Sequence, residues 1–330
     1  MDSRRPKVAI LGTRFRDFGV EKDVLGDIDL VSGPGSTPDE IVDVASGADV
    51  ILAGAAPVFD SETLERLGCQ GIVRLGVGVD TVDLGRAREL GIWVANVPDY
   101  GTESVALHTV TLILAAIRRT TAADRQVREG SWGVANLRPL HLPETLTVGI
   151  VGFGRIGRRV GQMLIGVGFE RFLVTDPLAG LEDLTTVFGD LPARLVELPD
   201  LLTAADVVTL HAPPATEGHL VDSEALRSMK EESILVNTAR GALVDTQALV
   251  SALRHGRPAM AALDVFEREP LQIEAFDGVL DRLILTPHMS WYTEETELAM
   301  RRQAADEASR ILSGQPPIHA VVTPATAEVR

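Results

Sequence analysis

Cysteine is almost absent: Cys69 is the single one in 330 residues, so no intramolecular disulfide can form and nothing in the cysteine count points to an oxidising compartment. Its place in Leu67–Ile72 reads as a core thiol. Positive charge is also short, with a formal net charge of -16, which works against direct binding to nucleic acid or anionic lipid. Long apolar runs are missing as well. The longest, Val105 to Ile117, is interrupted by His108, Thr109 and Thr111 and is too short to cross a bilayer. Met1 to Lys7 is charged, and the apolar stretch after it ends at Thr13 and Arg14, too soon for a signal-peptide core, so a cytoplasmic protein is expected. His108, His141, His219, His255 and His319 form no metal-spaced cluster, and no Ser-His-Asp pattern suggests a hydrolase, so neither a metal site nor hydrolysis is expected. Acidic runs such as Glu294 to Glu297 read as solvated helix starts.

What is present is an ordinary globular composition, 45% hydrophobic and 24% charged, on a chain long enough for two cores. Apolar runs at Val8–Leu11, Ile28–Val31, Val50–Ala53, Ile72–Leu75 and Trp93–Ala95 alternate with amphipathic segments, the signature of a parallel α/β sheet. A second series follows at Thr147–Val151, Phe172–Thr175, Val207–Leu210, Ile234–Val236, Ala261–Leu263 and Leu283–Leu285. Glu103 to Arg119 reads as a helix passing between the two units. Thr293 to Ser313, with Leu298, Ala299, Ala305, Ala308 and Leu312 apolar, reads as a helix returning the chain to the first. The first domain is therefore discontinuous, residues 1–101 with 291–330, around a dinucleotide-binding domain at 102–290. The tail from Gly314, carrying Pro316 and Pro317, reads as a surface-packed or frayed end.

The strand at Thr147–Val151 runs directly into Gly152-Phe153-Gly154-Arg155-Ile156-Gly157 and then into helical sequence. Gly152 permits the tight turn, Gly154 lets backbone approach a pyrophosphate and Gly157 allows close helix–strand packing, while the helix N-terminus favours phosphate charge. The next strand ends in Asp176, 19 positions after Gly157, where a carboxylate accepts bonds from the adenosine ribose and repels a 2′-phosphate. NAD is thus favoured over NADP. His211-Ala212-Pro213, Thr238-Ala239-Arg240, Asp264 and His288 each follow the end of a predicted strand of the same unit, the edge on which ligands bind in a doubly wound sheet.

With these motifs in order, the chain resembles the D-isomer-specific 2-hydroxy acid dehydrogenase family, through the glycine loop, Val236 to Gly241, Ala262 to Pro270 and Thr286-Pro287-His288. Pro287 to Tyr292, Arg118 to Thr121 and Val127 to Gly130 look most like its C-terminal-binding-protein branch. The resemblance implies two doubly wound α/β domains, a Rossmann NAD-binding domain and a flavodoxin-like substrate domain with a cleft between them. It also implies a homodimer, with Ala122 to Leu146 as the arm.

The chemistry needs a group for the substrate carboxylate, a proton donor for the developing alkoxide, and a partner that keeps the donor charged and aimed. Arg240 offers a permanently charged fork, His288 an imidazole that titrates near working pH, and Glu269 a carboxylate to orient it. By resemblance Asp264 contacts the nicotinamide side of the cofactor and Thr109 reaches the pyrophosphate. Arg74, Val77 and Gly78 belong to the substrate loop Arg74–Asp80, where the amides of Val77 and Gly78 face the substrate carboxylate. Trp291 lines the substrate pocket, with Tyr100 a further candidate. Leu107, where the family commonly has an acidic residue, and Val77, where it often has a polar one, depart from the pattern and bear on substrate fit.

Two functions are compatible with this sequence. One is reduction of a 2-oxo acid with an apolar side chain, ranked above 3-phosphoglycerate because Trp291 offers no phosphate-binding charge and the chain leaves no room for a full regulatory domain; glyoxylate, hydroxypyruvate and D-lactate chemistry share the same triad. The other is an NAD(H)-sensing interaction protein, disfavoured by the intact triad and the lack of an extended disordered or basic segment.

Overall fold

The predicted alternation takes the form β1 (Lys7–Leu11), β2 (Asp29–Gly33), β3 (Val50–Ala53), β4 (Gly71–Arg74), β5 (Trp93–Ala95), β6 (Thr147–Val151) and β7 (Arg171–Thr175). It continues through β8 (Ala193–Leu195), β9 (Val207–Leu210), β10 (Ile234–Asn237), β11 (Met260–Leu263), β12 (Leu283–Leu285) and β13 (Ala320–Val322). The computed structural model describes residues 4–13, 15, 17–214 and 218–325. The chain divides into two units, Met1–Gly101 with Thr293–Arg330, and Thr102–Tyr292, so Trp291 and Tyr292 group with the second unit and not, as expected, with the first.

In the first unit the sheet order is β2-β1-β3-β4-β5-β13. Strands β1 to β5 are parallel, and β13 adds to β5 in the antiparallel sense. Of the surface-packed or frayed end expected from Gly314, Ala320–Val322 takes the packed form. Buried Glu307 accepts hydrogen bonds from the Ile318 and His319 amides at 2.7 and 3.0 Å, and its carboxylate lies 2.7 Å from His319 Nδ1. These contacts place Ala320–Val322 beside β5. Ala9, Leu11, Ile51, Ile72 and Val94 of the sheet pack with Ile41 and Leu64 from its helices.

The return helix, Glu294–Leu312, starts where the Thr293 hydroxyl accepts from the Thr296 amide, the N-cap arrangement that satisfies an otherwise orphan donor. Its inner face is Met300, Ala304, Ala305, Ala308 and Ile311, while Leu298, read from sequence as apolar core, is 41% exposed. A charged side chain takes part in that buried face. Arg301 holds wholly buried Glu21 through two bonds of 2.8 and 2.7 Å, donates to the Asp17 carbonyl and lies 4.3 Å from the Phe15 ring centroid.

In the second unit the order is β8-β7-β6-β9-β10-β11-β12, parallel throughout. The strand order reverses between β6 and β9, the switch point at which a doubly wound sheet opens a crevice beyond its carboxyl ends. Alternate residues feed two cores: Val148, Ile150, Val207 and Val236 on one face with the Thr102–Ile117 helix, and Val151, Val208, Leu210 and Leu235 on the other. Gly149 is needed on the second face because a Cβ there would run into Leu201 of the Leu198–Ala204 helix. Strand β8 was not foreseen; it has three residues, none of them buried, at the sheet edge. Among the described residues no helix is long and apolar enough to cross a membrane.

Candidate active site

All strands of the second sheet run the same way, so the residues that follow β6, β7, β9, β10, β11 and β12 collect along one edge. After β6, Gly152 has φ +89°, and a Cβ there would stand 2.6 Å from the His211 carbonyl and the Ala212 nitrogen. The turn after β6 and the turn after β9 therefore pass against each other, and only glycine fits between them. At Gly157 a Cβ would overlap the Gly152 carbonyl, which explains the third glycine. Gly154 differs: nothing lies near its side-chain position, and it caps the Arg155–Gly166 helix without any side-chain hydrogen bond. An open helix N-terminus with uncapped amides is the cradle a pyrophosphate needs. Arg155 is exposed at the first position of the helix, and Ile156 is half-buried behind it.

Asp176, at the end of β7, accepts from the Phe153 amide at 2.6 Å and from the Leu178 amide at 2.8 Å, one to each oxygen. Each oxygen keeps a lone pair with which a ribose hydroxyl could bond. Arg158, which sequence reasoning missed, braces the same loop. It donates to the Phe153 carbonyl at 2.8 Å and to Asp183 at 2.6 Å. The residues present therefore fit a dinucleotide: Gly152, Gly154, Arg155, Ile156 and Gly157 along the phosphates and Asp176 at the ribose. His211 Nε2 lies 3.0 Å from the Thr209 hydroxyl, and burial pushes the imidazole down to about 3, so it stays neutral. Its charge is not available to a ligand, and Ala212 and Pro213 continue from it along the loop.

After β10, the Asn237 side chain closes the Thr238–Arg240 turn, donating to the Arg240 carbonyl at 2.8 Å and accepting from the Ala239 amide at 3.0 Å. Arg240 donates to the Ala239 carbonyl at 2.8 Å and is partly exposed. Gly241 permits the Phe266–Glu267 backbone to pass directly against this turn. That backbone leads to Glu269, whose Oε1 accepts from the Phe266 amide at 3.0 Å and whose Oε2 lies 2.6 Å from His288 Nδ1. Arg240, Glu269 and His288 thus lie on three loops of the second unit, the first two packed backbone against backbone.

His288 sits in the left-handed region, φ +52°, with its amide donating to the Asp264 carbonyl at 2.8 Å. A non-glycine residue rarely adopts that conformation, and such outliers cluster at functional sites. The hydrogen bond to Glu269 holds the imidazole above its ordinary value; burial opposes this, and the charges of Glu269 and Asp264 add to it. Burial would raise Glu269, but the bonds from His288 and the Phe266 amide together outweigh it and leave the carboxyl below its usual range.

Asp264 directly follows β11. Its side chain is wholly buried, accepting from the Thr286 hydroxyl at 2.6 Å and from the Met289 and Ser290 amides at 2.9 Å each. Burial pushes the carboxyl up, yet these donors more than offset it and keep it low. This arrangement anchors the loop that carries His288. Thr109 is likewise held by protein partners. Its buried hydroxyl donates to the Val105 carbonyl and lies 2.7 Å from the Thr238 hydroxyl, so it fixes the Arg240 turn to the helix. Trp291 is half-buried and meets Tyr292 edge-on at 5.5 Å. Among the described residues no group of His, Cys, Asp and Glu is placed to hold a metal ion.

In the first unit, Arg74 is buried and donates to the Ala53 carbonyl at 2.7 Å. Val77 is 41% exposed, its carbonyl held by the Asn96 side chain at 2.7 Å, and Gly78 follows it on the exposed loop. The Tyr100 hydroxyl stands 3.5 Å from the side-chain position of Gly76 in that same loop.

The comparisons agree with this geometry. Residues 110–290 match the family described as D-isomer specific 2-hydroxyacid dehydrogenase, NAD binding domain. The chain is 39% identical over 289 residues to a glyoxylate reductase of Aeropyrum pernix, covering 84% of each protein. It is 34% identical over 295 residues to a D-3-phosphoglycerate dehydrogenase of Methanocaldococcus jannaschii, covering 88% of this chain and 54% of that protein. Among solved structures, D-lactate dehydrogenase of Aquifex aeolicus, complexed with NAD and lactic acid, superposes with a TM-score of 0.84 at 26% identity, over 96% of this chain and 100% of that one. A family match over more than half of the chain, on a doubly wound sheet with a dinucleotide cradle, identifies the protein as a member of the NAD-dependent D-isomer specific 2-hydroxyacid dehydrogenase family.

Proposed function

We propose that the protein reduces a 2-oxo acid with an apolar side chain to the D-2-hydroxy acid, and oxidises the product in reverse. The observation that carries the reading is the 2.6 Å contact between His288 Nδ1 and Glu269, which fixes the ring and leaves Nε2 as the nitrogen that delivers a proton. Arg240 binds the substrate carboxylate through its planar fork. NADH, when bound, would supply the hydride for reduction and leave as NAD+, and NAD+ would accept it in the reverse direction. His288, held charged by Glu269, gives its proton to the oxygen of the carbonyl being reduced and recovers it in the opposite direction. Arg74, Val77 and Gly78 are assigned to substrate binding in the first unit.

The apolar preference rests on the residues beyond His288. Met289 is 41% exposed, Tyr292 40% exposed, and Trp291 stands against Tyr292, three side chains that carry no charge of their own. Glyoxylate and phosphoglycerate, named for the relatives, are the alternatives within the same chemistry. The sequence likeness of Pro287–Tyr292 to the C-terminal-binding-protein branch supports a second reading, an NAD(H)-responsive interaction protein.

The test is NADH oxidation with pyruvate, glyoxylate, hydroxypyruvate, phenylpyruvate and 4-methylthio-2-oxobutyrate, run beside His288→Ala and Trp291→Ala. Turnover lost in His288→Ala and greatest on the larger apolar acids is expected. Fastest turnover on glyoxylate or hydroxypyruvate, or relative rates unchanged in Trp291→Ala, overturns the apolar preference. Tight NADH binding with no turnover on any acid favours the sensor. We further propose a homodimer through the 122–146 arm, where Trp132 is 90% exposed and Val134 and Leu142 are 57% and 56% exposed; a monomer by light scattering would contradict it.

A further inference from the structure

The Thr102–Ile117 helix carries no member of the triad, yet two adjacent side chains on it hold two different loops of the site. Thr109 meets Thr238, at the head of the turn that ends in Arg240. His108, which the sequence alone gave no functional reading, meets the loop that carries His288: its Nε2 lies 3.1 Å from the Thr286 hydroxyl and 3.7 Å from Asp264 Oδ1.

We propose that His108 is a positioning residue for His288, acting through Thr286 and Asp264. The proposal rests on the reading of His288 as the acid/base group. Its first support is hydrogen-bond arithmetic. A threonine hydroxyl has one proton, and that of Thr286 is directed to Asp264 Oδ1 at 2.6 Å. His108 Nε2 must therefore be the donor to Thr286, which fixes its tautomer with the proton on Nε2. The result is a directed chain, imidazole N–H to hydroxyl to carboxylate. Each link polarises the next in a partly buried setting, where His108 is 17% exposed and Asp264 is not exposed at all.

The second support is where the chain ends. Asp264 Oδ1 also accepts from the Met289 amide, Oδ2 from the Ser290 amide, and the Asp264 carbonyl accepts from the His288 amide. These contacts hold the backbone around a histidine in the left-handed conformation, a geometry that persists only when its surroundings over-determine it. Without the His108 donor, the Thr286 side chain keeps only its bond to Asp264, and the aim of its hydroxyl at the carboxylate is less closely fixed. The ionisable groups in this network are Asp264 next to Thr286, with His288, Glu269 and Arg240 beyond it. His108 thus sets the aim of His288 and does not itself transfer a proton to substrate.

The test compares His108→Leu, which removes the donor, with His108→Gln, which keeps an N–H and does not titrate. Expected for His108→Leu is a loss of about ten-fold in kcat, with KM for the oxo acid and Kd for NADH within about two-fold of wild type. His108→Gln should recover most of that loss. Thr286→Val should match His108→Leu, with the double variant no worse than either single one, because both break one chain. Should His108→Leu fail to fold, Thr286→Val against Thr286→Ser poses the same question. Loss in His108→Gln equal to that in His108→Leu overturns the proposal, as does a loss confined to KM, NADH affinity or thermal stability. Full turnover in His288→Ala overturns the underlying acid/base reading. An inactive His288→Ala beside fully active His108→Leu overturns the positioning role alone.

Discussion

Gly241 stands directly against Phe266: a Cβ at position 241 would overlap the Phe266 carbonyl and crowd the Glu267 amide. Arg240 is the residue before Gly241, and Glu269 lies three residues beyond Phe266, so this one contact sets the loop that carries Arg240 beside the loop that carries Glu269. Gly241→Ala must push them apart, because the opposing atoms are backbone and cannot rotate away. The expected outcome is a drop of about 10²-fold in kcat/KM, of the size produced by a 1 Å misplacement of catalytic groups. Steady-state kinetics with NADH, beside a circular dichroism spectrum unchanged from wild type, measures it. Wild-type kcat/KM in this variant would mean that the contact between the loops is not what aligns them.

The raised His288 and lowered Glu269 give a signed pH dependence. Reduction needs the protonated imidazole, so its rate should hold at lower pH and fall as pH rises through the elevated His288 value. Glu269→Gln removes the carboxylate acceptor whose hydrogen bond is chiefly responsible for that elevation, and its charge with it. The falling limb of the reductive kcat profile should therefore move to lower pH, with kcat itself reduced about ten- to a hundred-fold. The stability side follows the same signs. The raised histidine contributes below its unfolded value and loses that contribution as pH rises through its folded one. The lowered glutamate contributes above its unfolded value and loses that as pH falls through its folded one. A kcat profile of Glu269→Gln superimposable on wild type would dissociate the pair from the chemistry.

Asp176 has two structural tasks beyond any ribose contact, accepting from the Phe153 and Leu178 amides. Asp176→Ser is expected to relax discrimination against NADPH by about ten-fold or more, since the carboxylate no longer repels a 2′-phosphate. NADH affinity should fall at the same time, because the Phe153 amide loses its charged acceptor and the glycine loop is less well held. Both effects are read from fluorescence titrations with the two dinucleotides. An unchanged preference for NADH would remove Asp176 from the basis of cofactor choice.

Much of this protein was written in one dimension. The two series of strands, the glycine loop entering a helix and the spacing to Asp176 all follow from local patterning. The seven strands of the second unit share one direction, so the residues that follow them, Arg240, Glu269 and His288 among them, had to collect along one edge. What escaped the sequence was of two kinds. Strands β8 and β13 have three residues each at a sheet edge, where pairing on one side only leaves little apolar signal. Leu298 has the composition of a core residue, but the turn of its helix carries it outward while Arg301 turns inward to Glu21.

The roles of polar side chains were decided only in three dimensions. Asp264 and Thr109 sit at sequence positions that suggest cofactor contact, yet both are buried and committed to protein partners, the Thr286 hydroxyl and two amides for one, Val105 and Thr238 for the other. His108 carries no motif, and its place behind Thr286 comes from a contact between residues 178 positions apart. Hydrophobic periodicity determines which face of an element is buried, because burial is non-directional and scales with apolar area. A hydrogen bond needs its partner within about 3 Å and correctly aimed, and only the packed chain fixes which donor meets which acceptor.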